Sequence, residues 1–301
     1  MTNHLFNVGS QTRSFGAAKK LGLVLCCLLL SLNIFAGSIN IVAAENFYGA
    51  IAREIGGTKV VVQSIINNPN ADPHLFTTSF ATSKALSSAQ VIIYNGANYD
   101  AWMEPLLKSN KNKNTIIINV ADLMQVKPGA NPHLWYKPET STVLAKHLAL
   151  ILATLNKPDS DIFKNNLAIF LKNNQLVTDK ITTLKSKFAN NPVTATEPVF
   201  GYMADALGLK MYGLDLQWKI MNGTEPTPKM MITYKNLIVN KQVKLVIYNN
   251  QVISPTTTSI LKLAKQNQIQ VVGVTETMPT KYASINDWFL AELNNVEDAL
   301  D

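Results

Sequence analysis

Two of the four histidines in this chain stand in matching sequence frames. His74 lies in "DPHLF" and His133 lies in "NPHLWY", so each follows a proline and precedes a leucine. Neutral imidazole is a good ligand for first-row transition metals, and the preceding proline fixes the backbone and stiffens the loop. The repeated frame therefore predicts two rigid loops that contribute to one divalent metal site.

Two glutamates complete the predicted donor set. Glu197 follows the strand-like run "PVTAT", and Glu276 follows the strand-like run "IQVVGVT". Carboxylate oxygens shift the preference of a site from Zn²⁺ toward the harder Mn²⁺ or Fe²⁺. An alternative for each glutamate alone is a carboxylate near a helix N-terminus, because each precedes a helix or turn. The alternative for each histidine alone is an ordinary polar loop residue.

Signatures of other chemistry are missing from the sequence. No G-x-S-x-G, no Walker-type loop and no G-x-G-x-x-G follows a strand-like run, so no catalytic residue and no nucleotide cofactor are predicted. Asp72, two residues before His74, is the single candidate general base. A secreted metallohydrolase with Asp72 as its base is therefore an alternative function. An aspartate in this position more often orients a metal ligand or caps its loop.

The candidate ligands follow predicted strands. Runs such as "INIVAAE", "QVIIYNG" and "VKLVIYNN" alternate with helical patterns. This alternation is typical of α/β folds with parallel strands and right-handed crossovers. In open α/β sheets, ligands bind beyond the carboxyl ends of the strands. The predicted elements therefore place all four candidate ligands close together, beyond the carboxyl ends of the strands.

One long helical pattern divides the chain. Asp159 to Phe188 contains no proline or glycine and has apolar residues at helical spacing, which predicts a helix of about 45 Å. The sequence therefore predicts two similar α/β lobes with mostly parallel sheets, joined by one long rigid helix. The predicted boundaries are a lobe over residues 38–156, a linker helix over 157–190 and a second lobe over 191–301.

Residues 1–37 have the pattern of a cleaved signal peptide. A basic segment precedes the apolar run "LGLVLCCLLLSLNIFAG", and small residues end it. A membrane anchor is the alternative, but the run is short for a span of about 20 apolar residues. Both cysteines, Cys26 and Cys27, lie in this run, and Leu25 before Cys26 disfavours a lipid anchor. Export to the periplasm is the prediction.

The composition excludes some classes of protein. Hydrophobic residues make up 47% of the chain and charged residues 16%, which is typical of a globular protein and not of a disordered one. The net charge is +7, but the lysines are scattered and form no dense basic run. Nucleic acid is therefore not an expected partner.

Five segments, in order, give the chain a family resemblance. They are "IVAAENFYGAIAREIGG", "DPHLF" with "SSAQVIIYNGANYDAW", "NPHLWYKPETSTVLAKHLALIL", "EPVFGYMADALGL" and "VTETMP". Together they resemble the zinc/manganese-type solute-binding proteins of bacterial ABC metal importers, over nearly all of the mature chain. The resemblance implies a monomer, not an enzyme, that captures a divalent metal ion outside the cytoplasm and delivers it to a membrane permease. By position it implies His74, His133, Glu197 and Glu276 as the ligands.

Departures from the family pattern bear on the metal. Glu197 replaces the histidine of zinc-type members, Glu276 replaces the usual aspartate, and the long His-rich acidic loop of many zinc-specific members is missing. The resemblance therefore favours Mn²⁺, with Fe²⁺ also compatible. Zn²⁺ stays a candidate because it binds N/O sites more tightly than Mn²⁺ at equal geometry. A surface adhesin that uses the metal for stability is the remaining alternative.

Overall fold

The structure is a computed structural model that describes residues 1–2, 37–68, 76–127, 129–252 and 254–301. The chain divides into residues 1–37 and a compact unit of residues 38–301, whose fold is given below. Most of the predicted signal peptide lies outside the described residues. None of the helices in the described ranges is long and apolar enough to cross a membrane.

The first half of the compact unit is built around a parallel sheet. Its strands are β1 (Ile39–Glu45), β2 (Val60–Ile66), β3 (Val91–Tyr94) and β4 (Ile116–Asn119), in the order β2-β1-β3-β4. Its helices are α1 (Asn46–Gly56), α2 (Phe80–Ser88), α3 (Met103–Ser109), α4 (Val120–Leu123) and α5 (Pro138–Leu155). The run of buried Val and Ile in β3 is what a strand covered on both faces requires.

The second half repeats this arrangement. Its strands are β5 (Pro192–Ala195), β6 (Lys210–Tyr212), β7 (Leu245–Asn249) and β8 (Gln270–Val274), in the order β6-β5-β7-β8. Its helices are α7 (Gly201–Ala206), α8 (Leu214–Met221), α9 (Pro228–Val239), α10 (Pro255–Gln266) and α11 (Ile285–Leu300). All strand pairs are parallel. The prediction of two parallel α/β sheets is confirmed.

One predicted strand was too long. The pattern of the run "KMYGLDLQ" predicts a single strand, but β6 ends at Tyr212 and α8 begins at Leu214. Gly213 between them has a φ of +76°, a left-handed conformation that suits glycine. A Cβ atom at Gly213 would also lie 2.7 Å from the Tyr234 ring. The tight turn at Gly213 therefore ends the strand early.

The predicted long helix is present as α6 (Ser160–Phe188). It packs against α1, α5 and α11. The apolar residues that it buries recur at helical spacing: Phe163, Phe170, Val177, Ile181, Leu184 and Phe188. This apolar stripe explains why so long a helix is stable in a globular protein.

One hydrophobic core extends between the two sheets. It joins Ile93 of the first sheet to Ile247 of the second through buried aromatic residues. Trp135 packs on Phe47 with ring centroids 4.6 Å apart, and Tyr136 contacts Trp288 at 5.6 Å. A continuous core of this kind resists wide hinge opening and favours small shifts.

Candidate metal centre

His133 lies at the end of the loop that follows α4, and its side chain is fully buried. Oδ1 of Asn131 accepts a hydrogen bond from the His133 backbone N–H at 3.1 Å and lies 2.6 Å from His133 Nδ1. Nδ2 of Asn131 donates to the Pro198 carbonyl at 2.7 Å, which fixes the orientation of the amide. Nδ1 of His133 therefore carries the proton, and Nε2 is the nitrogen with the lone pair for a metal.

Asn131 also joins the segments of two predicted ligands. Its side chain holds His133 and binds Pro198, the residue after Glu197. The Tyr202 hydroxyl donates to the Asn131 carbonyl at 2.8 Å. Since Tyr202 lies on α7, the loop with His133 is tied to the second half of the chain.

Glu197 lies two residues beyond β5 and is 6% exposed. It precedes a short 3-10 turn, Pro198–Phe200, but its side chain makes no capping hydrogen bond to that turn. Instead, its Oε2 atom accepts a hydrogen bond from Asn249 Nδ2 at 2.7 Å. The carboxylate is therefore directed at β7 rather than at the helix start, unlike the capping alternative considered from the sequence.

Glu276 lies two residues beyond β8 and is buried. Its Oε1 atom accepts a hydrogen bond from the same Asn249 Nδ2 at 2.5 Å, and its Oε2 atom accepts one from the Tyr99 hydroxyl at 2.9 Å. The backbone N–H of Glu276 donates to Gln251 Oε1 at 2.5 Å. The structure thus brings Glu197 and Glu276 together on one amide nitrogen.

The turn after β3 holds Tyr99 in place. Asp100 accepts hydrogen bonds from the N–H groups of Asn95 at 2.6 Å and Gly96 at 2.8 Å. Gly96 has a φ of +73°, and a Cβ atom there would lie 2.2 Å from Asn119 Oδ1, so the turn needs glycine. Burial, then the charge of Glu276, raises the pKa of Tyr99 well above its usual value. Tyr99 is therefore a neutral phenol that donates to the carboxylate.

An acidic pair lies next to this turn. Glu45, the last residue of β1, is completely buried, and burial followed by the charge of Asp100 raises its pKa well above the usual value. Burial likewise raises the pKa of Asp100 to about 6. Two buried carboxyl groups cannot both ionise cheaply, so Glu45 resists ionisation and is a poor metal ligand.

Three of the four predicted ligands are connected by short contacts. Asn249 links Glu197 to Glu276, Tyr99 binds Glu276, and the rings of Tyr99 and His133 lie 6.0 Å apart between centroids. The fourth predicted ligand, His74, lies with Asp72 outside the described residues. Within the described ranges, no three His, Cys, Asp or Glu side chains form a group that could hold a metal. The four-ligand assignment therefore stays a prediction.

The polar residues that orient these groups were not identified from the sequence. Asn249 and Gln251 lie in "YNNQ", directly at the end of a predicted strand. The strand-end argument that selected Glu197 and Glu276 applies equally to this position. Amide side chains are, however, weak ligands for transition metals, so the ligand pattern alone does not single out this position.

A cleft of about 720 Å³ reaches Glu197 from the second half of the chain. Its walls come from the loop after α8 and from the start of α10, and they include Asn222, Glu225 and Thr256. The cleft therefore connects one of the two glutamates with the protein surface.

Comparison with known proteins agrees with this architecture. The family model described as "Zinc-uptake complex component A periplasmic" matches residues 41–299. The manganese ABC transporter substrate-binding lipoprotein PsaA of Streptococcus pneumoniae is 27% identical over 234 residues, which cover 70% of this chain and 72% of that protein.

Solved structures have the same fold. The periplasmic zinc-binding protein TroA of Treponema pallidum superposes with a TM-score of 0.75 at 14% identity, over 88% of this chain and 99% of the other. A Mn-bound periplasmic metal-binding protein of Candidatus Liberibacter asiaticus gives a TM-score of 0.71 at 16% identity, over 88% and 100%. The family consists of solute-binding proteins and not of enzymes. The chain therefore belongs to the family of the periplasmic component A of zinc-uptake complexes, the substrate-binding proteins of metal ABC transporters.

Proposed function

We propose that this protein captures one divalent transition metal ion outside the cytoplasm and passes it to an ABC-type permease in the membrane. The ion is the cargo, and His74, His133, Glu197 and Glu276 are its proposed ligands. Two imidazoles and two carboxylates suit a divalent first-row metal. The observation that carries the proposal is the convergence of the buried Glu197 and Glu276 carboxylates on Asn249, beside the loop that orients His133.

Mn²⁺ is the favoured cargo, and Zn²⁺ and Fe²⁺ are the competitors. Two carboxylate ligands favour the harder Mn²⁺, whereas the same N/O site binds Zn²⁺ more tightly at equal geometry. A relative of this chain is named as a manganese ABC transporter substrate-binding lipoprotein, and a structural neighbour is named as a periplasmic zinc-binding protein. The names of these proteins therefore support both ions.

The proposed location is the periplasm. Residues 1–37 are proposed as a signal peptide that is removed on export, because a basic segment precedes a short apolar run. Although a relative is named as a lipoprotein, Leu25 before Cys26 disfavours a lipid anchor here. The mature protein is proposed to act as a monomer.

Release of the ion is proposed to need only small movements. In this proposal, residues 38–156 and 191–301 form the two lobes and residues 157–190 the rigid link between them. The support is the 29-residue helix α6 and the core that continues between the two sheets. Docking on the permease would then shift loops at the site, rather than open a wide hinge.

Metal analysis tests the proposal directly. Protein purified without chelator is expected to contain about one equivalent of a divalent metal, and Mn²⁺ and Zn²⁺ are compared by competition titration. The double variant His74→Ala, His133→Ala is expected to lose tight binding. His147→Ala is the matched control. His147 lies half-buried on α5 and is not one of the proposed ligands. Unchanged affinity in the double variant would refute the ligand assignment.

A deletion strain separates capture from adhesion. Loss of the gene is expected to reduce uptake of the cognate metal, and the protein with intact ligands should restore it. Normal uptake in the deletion strain would instead support the adhesin alternative.

A further inference from the structure

We infer that Asn249 is a positioning residue of the metal site, whose side-chain amide clamps Glu197 and Glu276 at a fixed spacing before the ion arrives. The inference rests on the proposed function, since it takes these two glutamates as ligands. Asn249 itself is not proposed to bind the metal.

The contacts of Asn249 define the clamp. Its Nδ2 atom donates to Glu197 Oε2 at 2.7 Å and to Glu276 Oε1 at 2.5 Å. A side-chain amide nitrogen carries two hydrogens, so it can serve both carboxylates at once. Oδ1 of Asn249 accepts from the Gln251 backbone N–H at 3.0 Å, and this contact orients the amide with its nitrogen toward the glutamates. Asn249 is 2% exposed, so water does not compete readily for these bonds.

The order of the strands places Asn249 between the two carboxylates. In the sheet β6-β5-β7-β8, the strand β7 lies between β5, which leads to Glu197, and β8, which leads to Glu276. Ala195 of β5 pairs with Ile247 of β7, and Asn249 pairs with Val274 of β8. The last residue of the middle strand therefore faces the segment that follows each neighbouring strand.

Gln251 extends the clamp to the backbone of Glu276. Its Oε1 atom accepts hydrogen bonds from the N–H groups of Glu276 at 2.5 Å and Thr277 at 2.9 Å. Its Nε2 atom donates to the Thr277 hydroxyl at 2.6 Å. Gln251, in the loop after β7, thus fixes the main chain of Glu276, and Asn249, at the end of β7, fixes its side chain.

An uncharged hydrogen-bond donor such as the Asn249 amide suits a position between two proposed metal ligands. Two buried carboxylates repel each other, and hydrogen bonds from an amide offset part of the repulsion. A lysine or arginine in the same place would offset more, but its positive charge would oppose a divalent cation. The amide leaves the negative charge of both ligands available, and a fixed geometry lowers the ordering cost of binding.

The first half of the chain has a matching asparagine. Asn95 follows β3, which lies between β1 and β4 just as β7 lies between β5 and β8. Nδ2 of Asn95 donates to the Pro132 carbonyl at 2.8 Å, directly before His133. Both sheets therefore use an amide at the end of the third strand to hold the segment that carries a proposed ligand.

Asn249→Ala tests the clamp with Mn²⁺, Zn²⁺ and Co²⁺ as probes. In Asn249→Ala, the Kd for Mn²⁺ and Zn²⁺ is expected to rise about 10- to 100-fold, and the visible absorption spectrum of the Co²⁺-loaded protein should change. Asn250→Ala is the matched control, because Asn250 is adjacent and exposed. Wild-type affinity and an unchanged Co²⁺ spectrum in Asn249→Ala would overturn the inference.

Asn249→Asp separates the clamp from a role in the turn alone. Aspartate keeps the oxygen that accepts from Gln251 N–H but loses the N–H₂ donor to the glutamates. The metal-free variant is expected to melt at a lower temperature than wild-type protein at pH 8, where a third carboxylate adds repulsion. A variant that melts like the wild type would show that Asn249 serves only the turn.

A measurement on wild-type protein covers the case in which these variants do not fold. The side-chain amide protons of Asn249 are expected to exchange slowly with solvent and to shift on addition of Zn²⁺ in NMR spectra. Exchange as fast as that of Asn250 would overturn the inference. If the wild-type protein binds none of the three ions, the proposed function itself fails, whereas tight wild-type binding with an unaffected Asn249→Ala variant refutes only the clamp.

Discussion

The Tyr99 hydroxyl donates a hydrogen bond to Glu276 Oε2 at 2.9 Å, although 177 positions separate the two residues. Tyr99 belongs to the turn after β3 of the first sheet, and Glu276 follows β8 of the second. The contact therefore connects the two halves of the chain at the proposed metal site. It also means that the orientation of one proposed ligand depends on a side chain from the other half.

Tyr99→Phe is expected to lower the free energy of unfolding of the metal-free protein by about 1.5 to 3 kcal/mol, because a buried hydrogen bond to a charged group is lost. Chemical denaturation measures this difference. Tyr212→Phe is the matched control, since Tyr212 is 43% exposed at the end of β6. Equal losses in both variants would mean that the Tyr99 contact contributes no specific stability.

Asn131→Ala is expected to weaken metal binding about 10- to 100-fold, because the His133 ring loses the acceptor that orients it and fixes its tautomer. Isothermal titration with Zn²⁺ measures the change. Asn267→Ala is the control, since the Asn267 side chain donates to the carbonyl of Leu263 at the end of α10. Affinity equal to that of the control would show that His133 needs no support from Asn131.

Gly201→Ala should reproduce part of this loss without unfolding the protein. A Cβ atom at Gly201 would lie 2.8 Å from Asn131 Nδ2, so the amide must move. Alanine is otherwise favoured over glycine in a helix by about 1 kcal/mol, and Gly201 starts α7. We therefore expect weaker Zn²⁺ binding at nearly unchanged stability. Wild-type binding by this variant would argue against a fixed position for Asn131.

Glu292 predicts a dependence of stability on pH. Burial raises its pKa to about 7 from an ordinary value of 4.5, although Tyr136 and Trp288 donate to it. The folded state thus binds the proton more tightly than the unfolded state. The resulting contribution of Glu292 to the free energy of unfolding is fully present below pH 4.5 and is lost as the pH rises through about 7. A shift of this size corresponds to about 3 kcal/mol.

Glu292→Gln, whose side chain cannot ionise, should remove this dependence of the unfolding free energy on pH. As the pH rises from 5 to 8, the unfolding free energy of the metal-free wild type is expected to fall relative to that of the variant by up to about 3 kcal/mol. Urea denaturation at a series of pH values measures it, with the exposed Glu139→Gln as the control. Parallel pH profiles for wild type and Glu292→Gln would contradict the assignment.

Local patterns in the sequence were sufficient for the elements and for the places where ligands follow them. The apolar stripe from Phe163 to Phe188 predicts one long helix, because helical periodicity is a property of neighbouring residues. The strand-end positions of Glu197 and Glu276 follow from the same local reading. The turn at Gly213 was missed because the strand pattern on either side of it looks continuous.

The sequence by itself thus determined the α/β class, the long helix and the chemical types of the proposed ligands. Only the tertiary structure decided which polar groups orient them. Asn131, Tyr99 and Asn249 meet their partners through strand order and crossovers, with partners 67, 177 and 52 positions away. A hydrogen bond between such distant residues leaves no periodic signal, because its geometry depends on how the sheets are ordered and packed.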